Sequence, residues 1–172
     1  MNDKHYKMLI DGPVSRWNAW REFDGGLTQI DLRNADLSGL DLSCASLNEA
    51  LLCYANLTRT HLHRARLRGA DLFNADLREC DLTEADLSGA VLTGVIADDA
   101  DLSQAILAVA VLRESSLCRV KFSRANLWGA NLSKANLSGA DLREIDLRRT
   151  KLHEANLDKA NLDGAIFVVT GG

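Results

Sequence analysis

A five-residue repeat dominates this sequence and constrains its fold more than any other feature. Every fifth residue from Leu27 to Phe167 is apolar, and the register never slips. Of these 29 positions, 26 are leucine, and the other three are Ala97, Phe122 and Phe167. The position two residues before each of them is usually small, and it is alanine at 19 of the 29. Asp or Asn mostly lies between the two, so the consensus reads Ala-(Asp/Asn)-Leu-X-X.

A period of five fits neither an amphipathic helix nor a simple strand. Because an α-helix repeats every 3.6 residues, a five-residue stripe would turn by about 140° at each step. A short extended piece followed by a turn does fit, since the first and third residues of Ala-Asp-Leu then share one face. The last two residues turn a corner, and glycine or asparagine suits the third position of a type II turn. Gly39, Gly89 and Gly139 occupy that position.

Four such corners would close a coil of 20 residues. A single coil is not expected to be stable, because its leucine layer lies open and its backbone groups lack partners. Neighbouring coils must supply the backbone ladders and cover the leucine layers, so the stack is cooperative. The 29 pentads make about seven coils, and at about 4.8 Å per coil the rod would be roughly 35 Å long.

The repeats over residues 27–169 resemble the pentapeptide-repeat family, whose consensus matches the one above. This resemblance implies an all-β solenoid, the right-handed quadrilateral β-helix, with the alanine and the central leucine pointing inward. The expected architecture is about seven coils with a short N-terminal helical cap. Ala97 departs clearly from the pattern and is flanked by Val95 and Ile96, so a bulge or a shifted side chain could occur there.

Residues 1–24 lack the repeat and are expected to form a capping segment ahead of the β-helix of residues 25–172. Pro13 suits the first turn of a short helix, and Trp17 and Trp20 follow it at helical spacing. The segment is predicted to cover the open leucine layer of the first coil. The alternative is a partner-docking element, because paired tryptophans also favour interfaces.

The C-terminal end is apolar and shows no cap. Residues 165–169 read Ala-Ile-Phe-Val-Val. Such an end could pair with a second copy or with a partner. The expected state is therefore a monomer or an end-to-end dimer.

The charge balance argues against direct binding of nucleic acid. The chain carries 20 Lys and Arg against 24 Asp and Glu, a net charge of −4, and both signs are interspersed. No secretory signal and no apolar run of about 20 residues is visible, so no membrane partner is expected. Four cysteines without metal-type spacing favour a cytoplasmic protein with reduced thiols.

No catalytic or cofactor-binding constellation is recognisable, so the protein is not expected to be an enzyme. The sequence has no phosphate-binding loop, no nucleophile elbow and no histidine placed beside a serine or cysteine in a known motif. His61 and His63 share one outward face near Asp81, and residues 98–101 are acidic, but neither group has the pattern of a metal site. No cofactor and no metal are therefore expected.

Apolar side chains at outward positions are the clearest departure from the polar surface expected of such a rod. Residues 20 apart should stack in columns, which places Val91 below Val111 and Trp128 above Ala108. The candidate partner-binding patch comprises Val91, Ile106, Val109, Val111 and Trp128. A contiguous exposed apolar patch often marks an interaction site, although β-branched residues are also common on strands for structural reasons.

Three functions fit these features. The first is a non-catalytic protein–protein interaction scaffold or regulatory binding module for an unidentified protein. The second follows from the resemblance, because some pentapeptide-repeat proteins mimic DNA and inhibit or protect type II topoisomerases. That role needs long faces of uniform negative charge, so the mixed charges favour the first function. The third is a structural role through end-to-end stacking.

Overall fold

The structure, a computed structural model, describes residues 3–167. It begins with two helices, α1 at Asp3–Ile10 and α2 at Val14–Asp24. Gly25 ends α2 in the left-handed conformation, with φ of 64°, and its N–H donates to the Glu22 carbonyl. Neither of these helices has the length and apolar character needed to cross a membrane.

After the helices the chain winds into a coil that returns to the same face after every four repeats. Each strand is reduced to a single bridging residue, the middle one of each Ala-(Asp/Asn)-Leu tripeptide, which pairs in parallel with its equivalent in the next coil. The first bridge joins Asp31 to Leu51, and the last joins Asp146 to Ile166. Four bridging positions per coil give the rod four faces. We number the faces from their first bridging residues, Asp31, Asp36, Asp41 and Ser46.

Main-chain hydrogen bonds tie each coil to the next. The N–H of an inward leucine donates to the carbonyl of a bridging residue in the next coil, as from Leu32 to Leu51 at 2.8 Å. The returning bond runs from the Leu51 N–H to the Ile30 carbonyl, also at 2.8 Å. Because this pattern repeats around the rod, the backbone groups of one coil are satisfied by its neighbours.

Except at Arg149, each turn from Asn34 to Gly164 carries a residue with positive φ. In the first turn the Ala35 N–H donates to the Leu32 carbonyl at 3.1 Å, and Asn34 has φ of 58°. This is the geometry that the glycine and asparagine pattern indicates for a type II turn. Side chains at bridging positions support the turns, since Asp41 Oδ1 accepts the Ser43 N–H at 3.0 Å.

Leucine and alanine fill the interior. Leu32, Leu87 and Ala110 are fully buried, and so are most of their equivalents up to Leu147. Leu27 differs, because it is 91% exposed, and the prediction that it points inward is wrong. The reason is that Leu27 precedes the first bridging residue and lies outside the ladder that holds the later leucines inward.

The ladder stays regular at Ala97, where the sequence indicated a possible bulge. The Ala97 N–H keeps its bond to the Ser116 carbonyl at 2.8 Å. Val95 points inward and is buried, while Ile96 points outward. No bulge forms, because the larger inward Val95 offsets the smaller Ala97 next to it.

The two helices pack on the open edge of the first coil, where their side chains replace ladder partners. The Trp17 indole N–H donates to the Ser46 carbonyl at 2.9 Å. One coil later, the equivalent carbonyl on Arg66 accepts a ladder bond from the Leu47 N–H at 2.8 Å. Trp17 therefore supplies the donor that a preceding coil would otherwise provide.

Two further side chains act in the same way. The Tyr6 hydroxyl donates to the Asp36 carbonyl at 3.1 Å. The Asn18 amide donates to the Cys44 carbonyl at 3.0 Å and accepts the Ser46 N–H at 2.8 Å. Together these bonds satisfy exposed edge groups on three sides of the first coil.

Helix α1 is not predicted by the sequence pattern. Its buried side chains are His5 and Leu9, which are one helical turn apart and so share one face. The His5 ring lies 5.5 Å from the Trp20 ring, and Trp20 lies 5.2 Å from Trp17. Burial is the main cause of the lowered pKa of His5. A stripe of only these two side chains, one of them a histidine, is too short to predict a helix from its pattern.

We expect the L52A substitution to lower the free energy of unfolding by about 2–5 kcal/mol, because it leaves a cavity in the interior. Leu52 is fully buried, whereas Leu51 is a bridging residue that points outward and is half-buried. The L51A control should therefore lower the free energy by less than about 1 kcal/mol. Urea denaturation followed by circular dichroism measures both values. Equal losses from the two variants would contradict the alternation of inward and outward residues.

Candidate functional site

The five patch residues lie across the corner between the fourth and first faces. Val91 and Val111 pair directly on the first face, and Ile106 is a bridging residue of the fourth face. Val109 forms the corner between these faces, and its N–H donates to the Trp128 carbonyl one coil further along at 2.9 Å. The structure brings all five residues onto one surface, to which we refer as the apolar patch.

The apolar patch is open to solvent. Trp128 is 59% exposed and Val109 is 52% exposed, while Val111 is half-buried. A Cγ atom of Val109 lies 3.1 Å from the place that a Cβ atom would occupy on Gly129. Because Gly129 has no side chain, Val109 and Trp128 stand uncovered next to each other.

Val109 has an unusual backbone conformation for its residue type. Its φ is 54°, in the left-handed region that β-branched residues strongly disfavour. Among the positions with positive φ in residues 3–167, Val109 is the only one with a β-branched side chain. The preference of such residues for strands cannot explain it, because Val109 lies in a turn. Strain of this kind, of about 1–3 kcal/mol, is concentrated at functional sites.

The ladder is interrupted on the fourth face. Asn126 and Asp146 occupy equivalent positions in successive coils but do not bridge, and they are the only such pair of bridging positions in residues 31–166. The Leu127 N–H has no hydrogen-bond partner in the described chain. By contrast Leu107, the equivalent leucine of the preceding coil, donates to the Asn126 carbonyl at 2.8 Å.

Two large interior residues account for the interruption. Phe122 replaces a central leucine, Ile145 occupies a position where alanine is usual, and both are buried. Ile145 stacks above Ala125, which is 8% exposed where most other inward alanines are at most 1% exposed. The added volume disfavours regular stacking at this point. The following turn is altered as well, since Arg149 lacks the positive φ of the other turns between residues 34 and 164. Both Phe122 and Ile145 depart from the consensus, so the sequence contains a signal for this interruption.

A groove of about 420 Å³ opens beside the interruption, lined by Trp128, Asp146, Arg148 and Arg149. Arg148 binds Asp146 through contacts of 2.9 and 2.6 Å, and this hydrogen bonding lowers the pKa of Asp146 to about 2. Arg149 has no ion-pair partner within residues 3–167. The groove therefore presents an aromatic surface beside an unpaired guanidinium group.

Charges of both signs alternate along the faces. Arg59 contacts Glu79 at 3.0 Å, and Arg119 contacts Asp99 at 2.6 Å, each pair joining successive coils. The third face is the most acidic, with seven carboxylates, yet four basic residues interrupt it. These are Arg64, Lys121, Arg124 and Arg143. Within residues 3–167 the rod has no long face of uniform negative charge.

The histidines and cysteines add no recognisable reactive centre in residues 3–167. No group of three or more His, Cys, Asp or Glu side chains in that range is arranged to hold a metal ion. His61 bridges between Asp41 and Asp81. Burial raises the pKa of the Cys80 thiol to about 12, so this thiol carries very little thiolate at neutral pH.

Family comparison matches the chain to the pentapeptide repeats. The match has eight copies, which cover residues 30–69, 70–108, 107–139 and 130–167. Comparison with curated proteins gives no match.

Two solved structures illustrate the likeness. One is HetL, a pentapeptide repeat protein involved in heterocyst differentiation regulation from the cyanobacterium Nostoc sp. strain PCC 7120; it is 30% identical, with 82% of each chain covered and a TM-score of 0.45. The other is trypsin-treated QnrB1, a plasmid-mediated fluoroquinolone resistance protein. It is 23% identical, with 81% of this chain and 78% of that chain covered and a TM-score of 0.56. The likeness to QnrB1 concerns the fold alone.

We expect the Leu127 amide to exchange its hydrogen about tenfold or more faster than the Leu107 amide, because only Leu107 is held in the ladder. The two residues occupy equivalent positions on the fourth face and both side chains are buried, so they form a matched pair. Native-state hydrogen exchange followed by NMR measures both rates. Equal protection would show that the ladder is continuous here.

Proposed function

This chain belongs to the pentapeptide-repeat family, and on that premise we propose that it is a non-catalytic protein-binding module. The fold of the family is the right-handed quadrilateral β-helix. In our proposal the walls of this rod recognise an unidentified protein, and the contact is made through the apolar patch. No cofactor, nucleic acid or membrane takes part in this function.

The backbone of Val109 is the observation that carries the proposal. Glycine or asparagine would relieve the strain at this turn position, so valine gives no advantage in folding. An exposed, strained and branched apolar residue is better explained by contact with a partner. Trp128 supports this reading, because tryptophan is among the residues that contribute most to binding at interfaces.

We further propose that residues 1–24 act as a capping segment for a rod of about seven coils in residues 25–172. Trp17 is fully buried and bonded to the first coil, and Trp20 packs against it. These contacts favour capping over partner docking for the two tryptophans. The cysteines are free, which agrees with a cytoplasmic protein.

A DNA-mimicking inhibitor or protector of a type II topoisomerase is the less favoured alternative. A mimic needs a long face of uniform negative charge, but four basic residues interrupt even the most acidic face. A gyrase supercoiling assay separates the two functions. Inhibition of the enzyme, or its protection from a fluoroquinolone, would favour the mimic over the binding module.

End-to-end stacking is a second candidate, favoured by the apolar residues at the end of the described chain. Ile166 and Phe167 are exposed, and Leu162 is half-buried. Val168 and Val169, which belong to the apolar end of the sequence, lie outside the described residues. Stacking of two rods would cover these side chains and extend the ladder. Analytical ultracentrifugation at high concentration should then show a dimer, and a strictly monomeric profile would exclude it.

We expect the V109N substitution to make the protein more stable and to weaken partner binding. Asparagine tolerates the left-handed conformation, so the free energy of unfolding should rise by about 1 kcal/mol. Capture of the partner from an extract of the native host should fall several-fold. W128A should reduce capture by about tenfold or more, because large aromatic residues dominate binding energies. Urea denaturation and quantitative affinity capture measure the two effects.

The I96N variant is the matched control for this experiment. Ile96 is exposed like the patch residues but lies on the second face, outside the apolar patch. Its substitution should leave capture unchanged. If folded V109N and W128A proteins capture as much partner as the wild type, the apolar patch is not the binding surface.

A further inference from the structure

Building on the binding function above, we propose that the partner presents an acidic–apolar peptide segment. This segment binds along the corner from the apolar patch to the groove formed by Trp128 and Arg149. Three features of the described chain identify its chemistry: the shape of the corner, the main-chain groups freed by the interruption of the ladder, and the unpaired cations at one end.

The shape of the corner leaves space for the apolar side chains of the segment to pack. Gly89 and Gly129 flank Val109 in the corner column, and Ala108 lies directly before Trp128 in the neighbouring column. These small residues leave Val109 and Trp128 standing above their surroundings, which agrees with their exposure. Apolar side chains of a partner can therefore pack against both residues at once.

The interruption of the ladder identifies the partner as a polypeptide. The Gly129 N–H group has no partner in the described chain, and neither do the Asp146 and Arg148 carbonyls. These three residues are at least partly exposed, whereas Leu127 is buried and its N–H is not open to a partner. A free donor and free acceptors in one place suit a polypeptide main chain, because it offers both kinds of group. A simple anion would satisfy the donor only.

Unpaired positive charge at one end of the apolar patch selects an acidic residue. Arg149 lines the groove together with Trp128, and Lys151 follows it on the first face. Neither cation has an ion-pair partner within residues 3–167, while Asp146, the carboxylate of the groove, is already held in an ion pair. A carboxylate of the partner would therefore meet free cations there.

The other end of the apolar patch gives the segment a direction. Asp71 and Asp86 lie there, so a second carboxylate would be repelled. The acidic residues should face Arg149 while the apolar residues extend toward Val91. Val91 and Lys151 are three coil steps apart, about 14 Å at the usual strand spacing, which about nine helical or four extended residues span.

Selection from displayed random peptides of about 12 residues tests the proposal. The full chain serves as bait, and the enriched peptides should combine leucine, valine or aromatic residues with Asp or Glu. Fluorescein-labelled synthetic copies are then titrated with the wild type and with the R149E, V109N and W128A variants. Fluorescence anisotropy gives the dissociation constants, and circular dichroism verifies that each variant is folded.

R149E should weaken binding by about tenfold, because it replaces an attractive charge pair with a repulsive one. Added salt should also weaken binding to the wild type, since it screens this pair. K159E is the matched control, because Lys159 occupies the equivalent position of its repeat on the second face and has no ion-pair partner within residues 3–167. It should change the dissociation constant by less than about twofold.

The outcomes separate this inference from the proposed function. Peptides that bind R149E as tightly as the wild type, but lose affinity for V109N and W128A, would overturn the acidic–apolar chemistry and leave the binding function intact. Peptides that bind V109N and W128A like the wild type would remove the apolar patch and the proposed function together. If no peptide is enriched, recognition of a short segment is excluded.

Discussion

The hydrogen bonds between consecutive coils are the interaction on which the rest of the structure depends. A single five-residue repeat buries too little apolar surface to be stable alone, so each coil is ordered by its neighbours. The same bonds place equivalent residues of successive coils next to each other. They thereby turn a linear repeat into four faces of stacked columns, whose outward residues are the surface that a partner can meet.

Much of this arrangement could be predicted from the repeat, because a constant register assigns every residue to a column and to an inward or outward position. The apolar patch was found in this way. Leu27 was misplaced because a repeat position points inward only where the ladder holds it. The interruption was missed because it depends on the summed volume of neighbouring coils, as for Ile145 above Ala125. The strain at Val109 could have been inferred, since its turn position requires a positive φ.

The two departures from regular geometry lie close together on the rod. Val109 is strained, and the ladder is open at Leu127 in the next coil. A consensus repeat would avoid both features, and each lowers stability locally. In a solenoid each coil contacts only its neighbours, so such defects stay local and leave the remaining coils intact. This architecture can therefore combine a regular core with an irregular outer surface.

The helices at the start of the chain limit how rods can associate, because they block one end. Tyr6, Trp17 and Asn18 occupy edge groups of the first coil that would otherwise pair with another strand. An edge filled in this way cannot template further pairing. Head-to-tail growth into filaments requires two complementary free ends. A rod with one blocked end cannot polymerise, so any association through its ends must stop at two copies.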